Sequence, residues 1–133
     1  MKPAWHQAVK RGDVRTVRTL LAAGTDPDAR DRYGQTGLML AAYAGHGKVV
    51  EALLAAGARL DVVAKFGMSA LMMAIVGGQV EVARRLAQAG ADRTIRGTGA
   101  PGFARKTAAD LARERGMTAL AEEIAPPVVD EPG

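Results

Sequence analysis

Residues 34–46 read GQTGLMLAAYAGH, and the reading of this stretch decides how the rest of the chain is parsed. Thr36 has a hydroxyl that can accept from the free N–H groups of a helix start, which predicts an N-cap. Leu38, Ala41 and Ala42 then fall on one face of a helix over 37–44. Gly45 stops it, because glycine takes the left-handed position after a helix at little cost. Val49, Val50, Leu53 and Leu54 predict a second helix over 47–56, with Gly57 as its stop. Turn residues and short extended pieces at 58–68 predict a hairpin-like finger.

The same unit recurs at a period of 33. Gly12, Gly45 and Gly78 share that spacing, as do Gly24, Gly57 and Gly90. Ala8, Ala41 and Ala74 follow it, and so do Leu20, Leu53 and Leu86. Further along the offset becomes 38: Ser69 maps to Thr107, Gly78 to Gly116, Val82 to Leu120 and Leu86 to Ile124. One five-residue insertion within 96–106 accounts for every shifted position. Four helix pairs result, near 4–23, 37–56, 70–89 and 107–124. A helix pair with a finger cannot bury its apolar face alone, but stacked neighbours can. The chain therefore reads as an all-α solenoid over 1–124, with units near 4–30, 31–63, 64–96 and 97–124. The Pro-rich, acidic segment 125–133 reads as a tail, unstructured or extended against the last unit.

Composition agrees with this reading. Apolar residues make up 48% of 133, enough for one core, but aromatics only 4%, so Ala and Leu must build it. Small residues and Leu suit close-packed helices better than a β-sandwich. With no cysteine, disulfide scaffolds and thiol chemistry are excluded. The N-terminus lacks a secretory apolar core, and no apolar run approaches the ~20 residues needed to span a bilayer, so the expectation is a cytoplasmic protein. The net charge of +4 points to an acidic partner, a nucleic acid, or ordinary solubility.

A turn followed by two helices at this period resembles the ankyrin repeat, whose signature is T-P-L-H-x-A. The second unit, DRYGQTGLMLAAYAGHGKVVEALLAAGARLD at 31–61, is the best match. The third is KFGMSALMMAIVGGQVEVARRLAQAGAD at 65–92. Residues 4–30 resemble an N-terminal capping unit and 106–124 a terminal one. The resemblance implies a solenoid that binds another protein through a concave face. Finger tips and the exposed side of each first helix would line that face.

This sequence departs from the signature in an informative way. Gly37 stands where the motif has Pro, and Met39 where it has His; Ala70 and Met72 repeat both changes one unit later. Losing Pro raises unfolded-state entropy, by roughly 0.4–1 kcal/mol per site. Losing His substitutes flexible apolar packing at the seam between units. A softer array than the consensus is expected, with the turn after Gly37 among its weaker points.

Catalytic, metal and cofactor sites are not expected. His6 and His46 occupy different repeat positions and do not pair, and no nucleophile–base set is visible. The resemblance implies that both histidines are structural. The Gly-rich run at 97–102 lacks the G-K-[ST] ending of a phosphate loop. Met39, Met68, Met72 and Met73 read as packing residues rather than soft-metal ligands.

The register nominates contact residues for a protein partner with an acidic surface. They are Lys10, Arg11, Tyr43 and Val76 on first helices; Arg32, Tyr33 and Gln35 on the first finger; Lys65, Phe66 and Met68 on the second; and Phe103 on the insertion. Tyr33 and Phe66 are equivalent, and each precedes a finger glycine beside a cation, as interface hot spots do. The alternative is nucleic-acid or other polyanion binding along a basic ridge of Lys10, Arg11, Arg30, Arg32, Lys65, Arg96, Arg105 and Lys106. A monomer without a small-molecule substrate is expected under either reading.

Overall fold

The first helix of each pair stacks on the first helix of the next. In the computed structural model, which describes residues 1–127, the pairs are α1 (Pro3–Arg11) with α2 (Val14–Ala22) and α3 (Gly37–Ala44) with α4 (Gly47–Ala55). They continue as α5 (Ala70–Val76) with α6 (Val80–Gln88) and α7 (Ala108–Glu114) with α8 (Thr118–Glu123). Contacts run α1 to α3, α3 to α5 and α5 to α7, so the first helices form one continuous layer.

Each first helix after α1 starts with a hydroxyl cap. The side chains of Thr36, Ser69 and Thr107 accept from the N–H of Met39, Met72 and Asp110. The last two complete a reciprocal box. Asp110 Oδ2 accepts from Thr107 N–H at 2.9 Å, and in the third unit Met72 Sδ takes the same role at 3.4 Å from Ser69 N. Gly45 ends α3 at φ 79°, in the left-handed region where it was placed by the sequence.

The fingers are tighter than extended hairpins. The first closes through a single bridge between Arg30 and Thr36, and among the described residues no strand forms. The second is one turn over Lys65–Gly67, with Gly67 N–H bonding to Ala64 O at 3.1 Å. The tail segment 128–133 lies outside the described residues.

Side chains recurring at the period of 33 hold the units together. His46 Nε2 sits 3.0 Å from the Lys10 carbonyl, so it carries the ring proton and donates; one unit later Gln79 Nε2 donates to Tyr43 O at 3.3 Å. Between loops, Asp28 accepts from Arg59 N–H and Asp61 from Asp92 N–H, at 2.8 and 2.7 Å. On the side of the second helices, charged pairs bridge the units. Glu51 of α4 meets Arg85 of α6, and Arg84 of α6 meets Glu123 of α8.

Met39 and Met72 are each 1% exposed, inside a core that also contains Trp5, Leu38, Leu71 and Leu111. Gly37 rests on the Trp5 ring and Val9, and a Cβ there would lie 3.5 Å from both, an ordinary contact. The equivalent positions already hold Ala70 and Ala108. Gly37→Ala is therefore expected to stabilise the chain by about 0.4–1 kcal/mol, read as a higher urea midpoint at unchanged slope.

Candidate functional site

Seven of the nominated contact residues surround one cavity. Tyr33, Gln35, Lys65, Phe66, Met68, Val76 and Phe103 line a space of about 460 Å3, together with Ala64 and Met73. It lies where the first two fingers, α5 and the insertion meet. Tyr33 is 59% exposed and Phe66 37%, whereas Gln35, Val76 and Phe103 are half-buried.

Local chemistry sets the two finger tips differently. Asp31 Oδ1 accepts from the N–H groups of both Tyr33 and Gln35 at 2.9 Å, so the first tip is held by a side-chain turn. The second finger has Ala64 at the equivalent place and no such acceptor. There Phe66 itself takes the left-handed conformation, at φ 65° and ψ 20°. That region is uncommon for a bulky residue. The Phe66 carbonyl accepts from Thr98 N–H at 2.7 Å, and its ring centroid lies 6.1 Å from that of Phe103. Each tip cation sits by its aromatic: Arg32 is 5.4 Å from the Tyr33 centroid and Lys65 Nζ 5.1 Å from that of Phe66.

The insertion is a closed loop. Gly97 N–H bonds to Lys106 O and Arg105 N–H returns to Gly97 O, both at 2.9 Å, while Phe103 N–H bonds to Ala100 O. Its backbone lies against the second finger: a Cβ on Gly67 would stand 3.0 Å from Arg96 O. This contact is non-local, so no sequence pattern announced it.

Not every nominated residue belongs to the cavity as an accessible contact. Met68 corrects the expectation of a free tip residue, because it is 4% exposed and forms part of the core beneath the cavity. It follows the finger turn and packs with the buried side chains of the core. Tyr43 is 49% exposed on α3 but outside the cavity lining. Lys10 and Arg11 are exposed at the end of α1 and do not line the cavity.

The basic ridge is interrupted. Lys106 pairs with Glu114, and Arg96 donates to the Arg105 carbonyl at 2.6 Å. Arg32, Lys65 and Arg105 have no carboxylate partner among the described residues. The carboxyls held below their usual range owe this to structural contacts. Asp110 is lowered chiefly by the Thr107 N–H, Asp13 by the Thr16 hydroxyl, Asp92 by Thr94 and Glu123 by Arg84. None of the four lines the aromatic cavity. A larger groove, about 650 Å3, crosses the second helices between Val14 and Val82. It mixes Arg18, Lys48 and Arg85 with Glu51 and Glu81 and has no aromatic wall.

Comparison with known families gives one result. The profile described as ankyrin repeats matches residues 5–96 in three copies, more than half of the chain. The chain belongs to the ankyrin-repeat family. Ankyrin repeats are generally protein–protein interaction modules and typically non-catalytic. The match ends at residue 96, and the fourth pair, α7 with α8, stacks beyond it on α5. No curated protein matches this ankyrin-repeat chain. Among the described residues no helix is long and apolar enough to cross a membrane.

Proposed function

We propose that this ankyrin-repeat chain is a non-catalytic module that binds a partner protein through the concave face made by finger turns and first helices. The observation that carries the reading is the placement of large exposed apolar side chains. Tyr33, Phe66 and Tyr43 belong to finger turns and a first helix, while the second helices present paired charges such as Arg85 with Glu51. Aromatic side chains left in water on one face supply most of an interface's energy when covered. Unpaired Arg32 and Lys65 beside them favour a partner with an acidic surface. As a cytoplasmic monomer it would inhibit, tether or chaperone that partner.

A charge placed on the first-helix face tests the reading. Tyr43→Glu should weaken retention of a partner isolated with the wild-type chain by about tenfold, since an unpaired carboxylate would be desolvated there. Gln88→Glu, on the exposed side of α6, should leave retention unchanged. Equal retention by the Tyr43→Glu chain, with helicity intact by circular dichroism, would overturn the assignment of the face.

A further inference from the structure

Phe66 is held in place before any partner arrives. Its left-handed backbone is a conformation that costs a bulky residue free energy, and such strain concentrates at binding sites. The insertion maintains it. Thr98 N–H bonds to the Phe66 carbonyl, Phe103 packs against the ring, and Gly99 closes over it so tightly that a Cβ would stand 3.2 Å from Cδ1. The insertion thus turns an exposed aromatic tip into one wall of a preformed cavity. At about 460 Å3 that cavity falls within the range of roughly 300–1,000 Å3 in which proteins bury a ligand group.

Its walls are apolar and its rim is positive. Lys65 is the one charged side chain in the lining, and Arg32 stands beside Tyr33. The nearest carboxylate in the first finger, Asp31, is 12% exposed and already accepts from Tyr33 and Gln35. It is poorly placed to neutralise either cation. On the second helices Arg84 and Arg85 are matched with glutamates of neighbouring units; Arg18 and Lys48 there have no carboxylate partner among the described residues, but they stand beside no aromatic wall. An apolar socket with unmatched cations at its edge is complementary to an apolar group flanked by carboxylates.

We propose that this cavity receives one large apolar side chain from an acidic segment of a partner protein, with the anchor between the Tyr33, Phe66 and Phe103 rings and its neighbouring carboxylates on Arg32 and Lys65. The proposal rests on the finger and first-helix face being the interface, and adds the chemistry of what docks there. The insertion is then the specificity element, because it supplies Phe103 to the lining of the socket.

The probe is acetyl-Gly-Asp-Glu-Phe-Asp-Glu-Gly-amide, titrated into the full 15N-labelled chain. Saturable shifts are expected at Gly67, Thr98, Gly99 and Phe103, weakening at about 0.5 M salt, where charge contacts are screened. Replacing the peptide's Phe by Ala should weaken binding at least about tenfold, as loss of a hot-spot anchor does. A Lys-flanked Phe peptide should leave these resonances unmoved. Phe103→Ala in the chain should abolish the preference for Phe over Ala, with helicity retained; Arg32→Glu with Lys65→Glu should abolish the preference for acidic flanks. Equal binding of the Phe and Ala peptides, shifts confined to α4 and α6, or no saturable shift would overturn the proposal. In each case a partner still lost on Tyr43→Glu would leave the interface reading intact.

Discussion

Replacing Gly77 with alanine is expected to destabilise the array by about 1–3 kcal/mol, although it adds only one methyl group. The glycine is not there for its backbone freedom, since φ −77° and ψ −4° suit any residue. It is there because α5 ends directly against α3. An added Cβ would fall well inside contact distance of the Tyr43 carbonyl oxygen, with the carbonyl carbon 3.0 Å away. Both obstacles are backbone, so neither can swing aside as a side chain would. The helices must part, and parting them strains the Gln79 bond to the same carbonyl and loosens the layer that holds Met39 and Met72. In a solenoid each unit leans only on its neighbours, so a weakened α3–α5 seam separates the chain into two halves. Urea unfolding of Gly77→Ala should show a lower midpoint and a broadened or biphasic transition. An unchanged midpoint would mean that the seam yields more easily than close-packed backbone should.

Gly77 also marks where legibility in the sequence ended. Gly78 belongs to the period of 33 and reads at once as a helix stop, but Gly77 has Ala44 and Arg11 at its equivalent positions and no local pattern to explain it. The caps were legible because capping is local: Thr36, Ser69 and Thr107 each reach an N–H three residues away. The helix boundaries followed from those caps and from the left-handed glycines. Asp28 and Asp61 stand at the repeat spacing and could have been noticed, yet that they accept from the next unit's loop depends on how units dock. Met68 departs from its equivalent, Gln35, which is polar and half-exposed; that it packs into the core is a tertiary fact the register does not carry. The grouping of Tyr33, Phe66 and Val76 followed from the register, whereas the closing of their cavity by Phe103 followed from the insertion's own hydrogen bonds, which no spacing encodes.

Phe66→Gly is expected to separate stability from binding more sharply than any other single change. Glycine adopts φ 65° freely, so the substitution removes a left-handed penalty of about 1–2 kcal/mol. Against that gain stand the lost packing on Phe103, about 0.5–1.5 kcal/mol, the lost burial of a ring only 37% exposed, about 1–2 kcal/mol, and the greater entropy of glycine in the unfolded chain. The terms offset in large part, and the unfolding free energy from urea titration should fall by only about 1–2 kcal/mol. Affinity for the partner should nevertheless fall by about 30- to 1,000-fold, the loss of roughly 2–4 kcal/mol that follows removal of a central aromatic anchor. Tyr33→Ala is the internal control, because Asp31 rather than a left-handed backbone holds that tip, so no strain is released there. It should weaken binding with at most a small loss of stability. A clear loss of stability in Phe66→Gly with affinity retained would make the ring a packing residue for the insertion. A stable chain that no longer binds would mean that the backbone strain at Phe66 is tolerated for the sake of the face it presents.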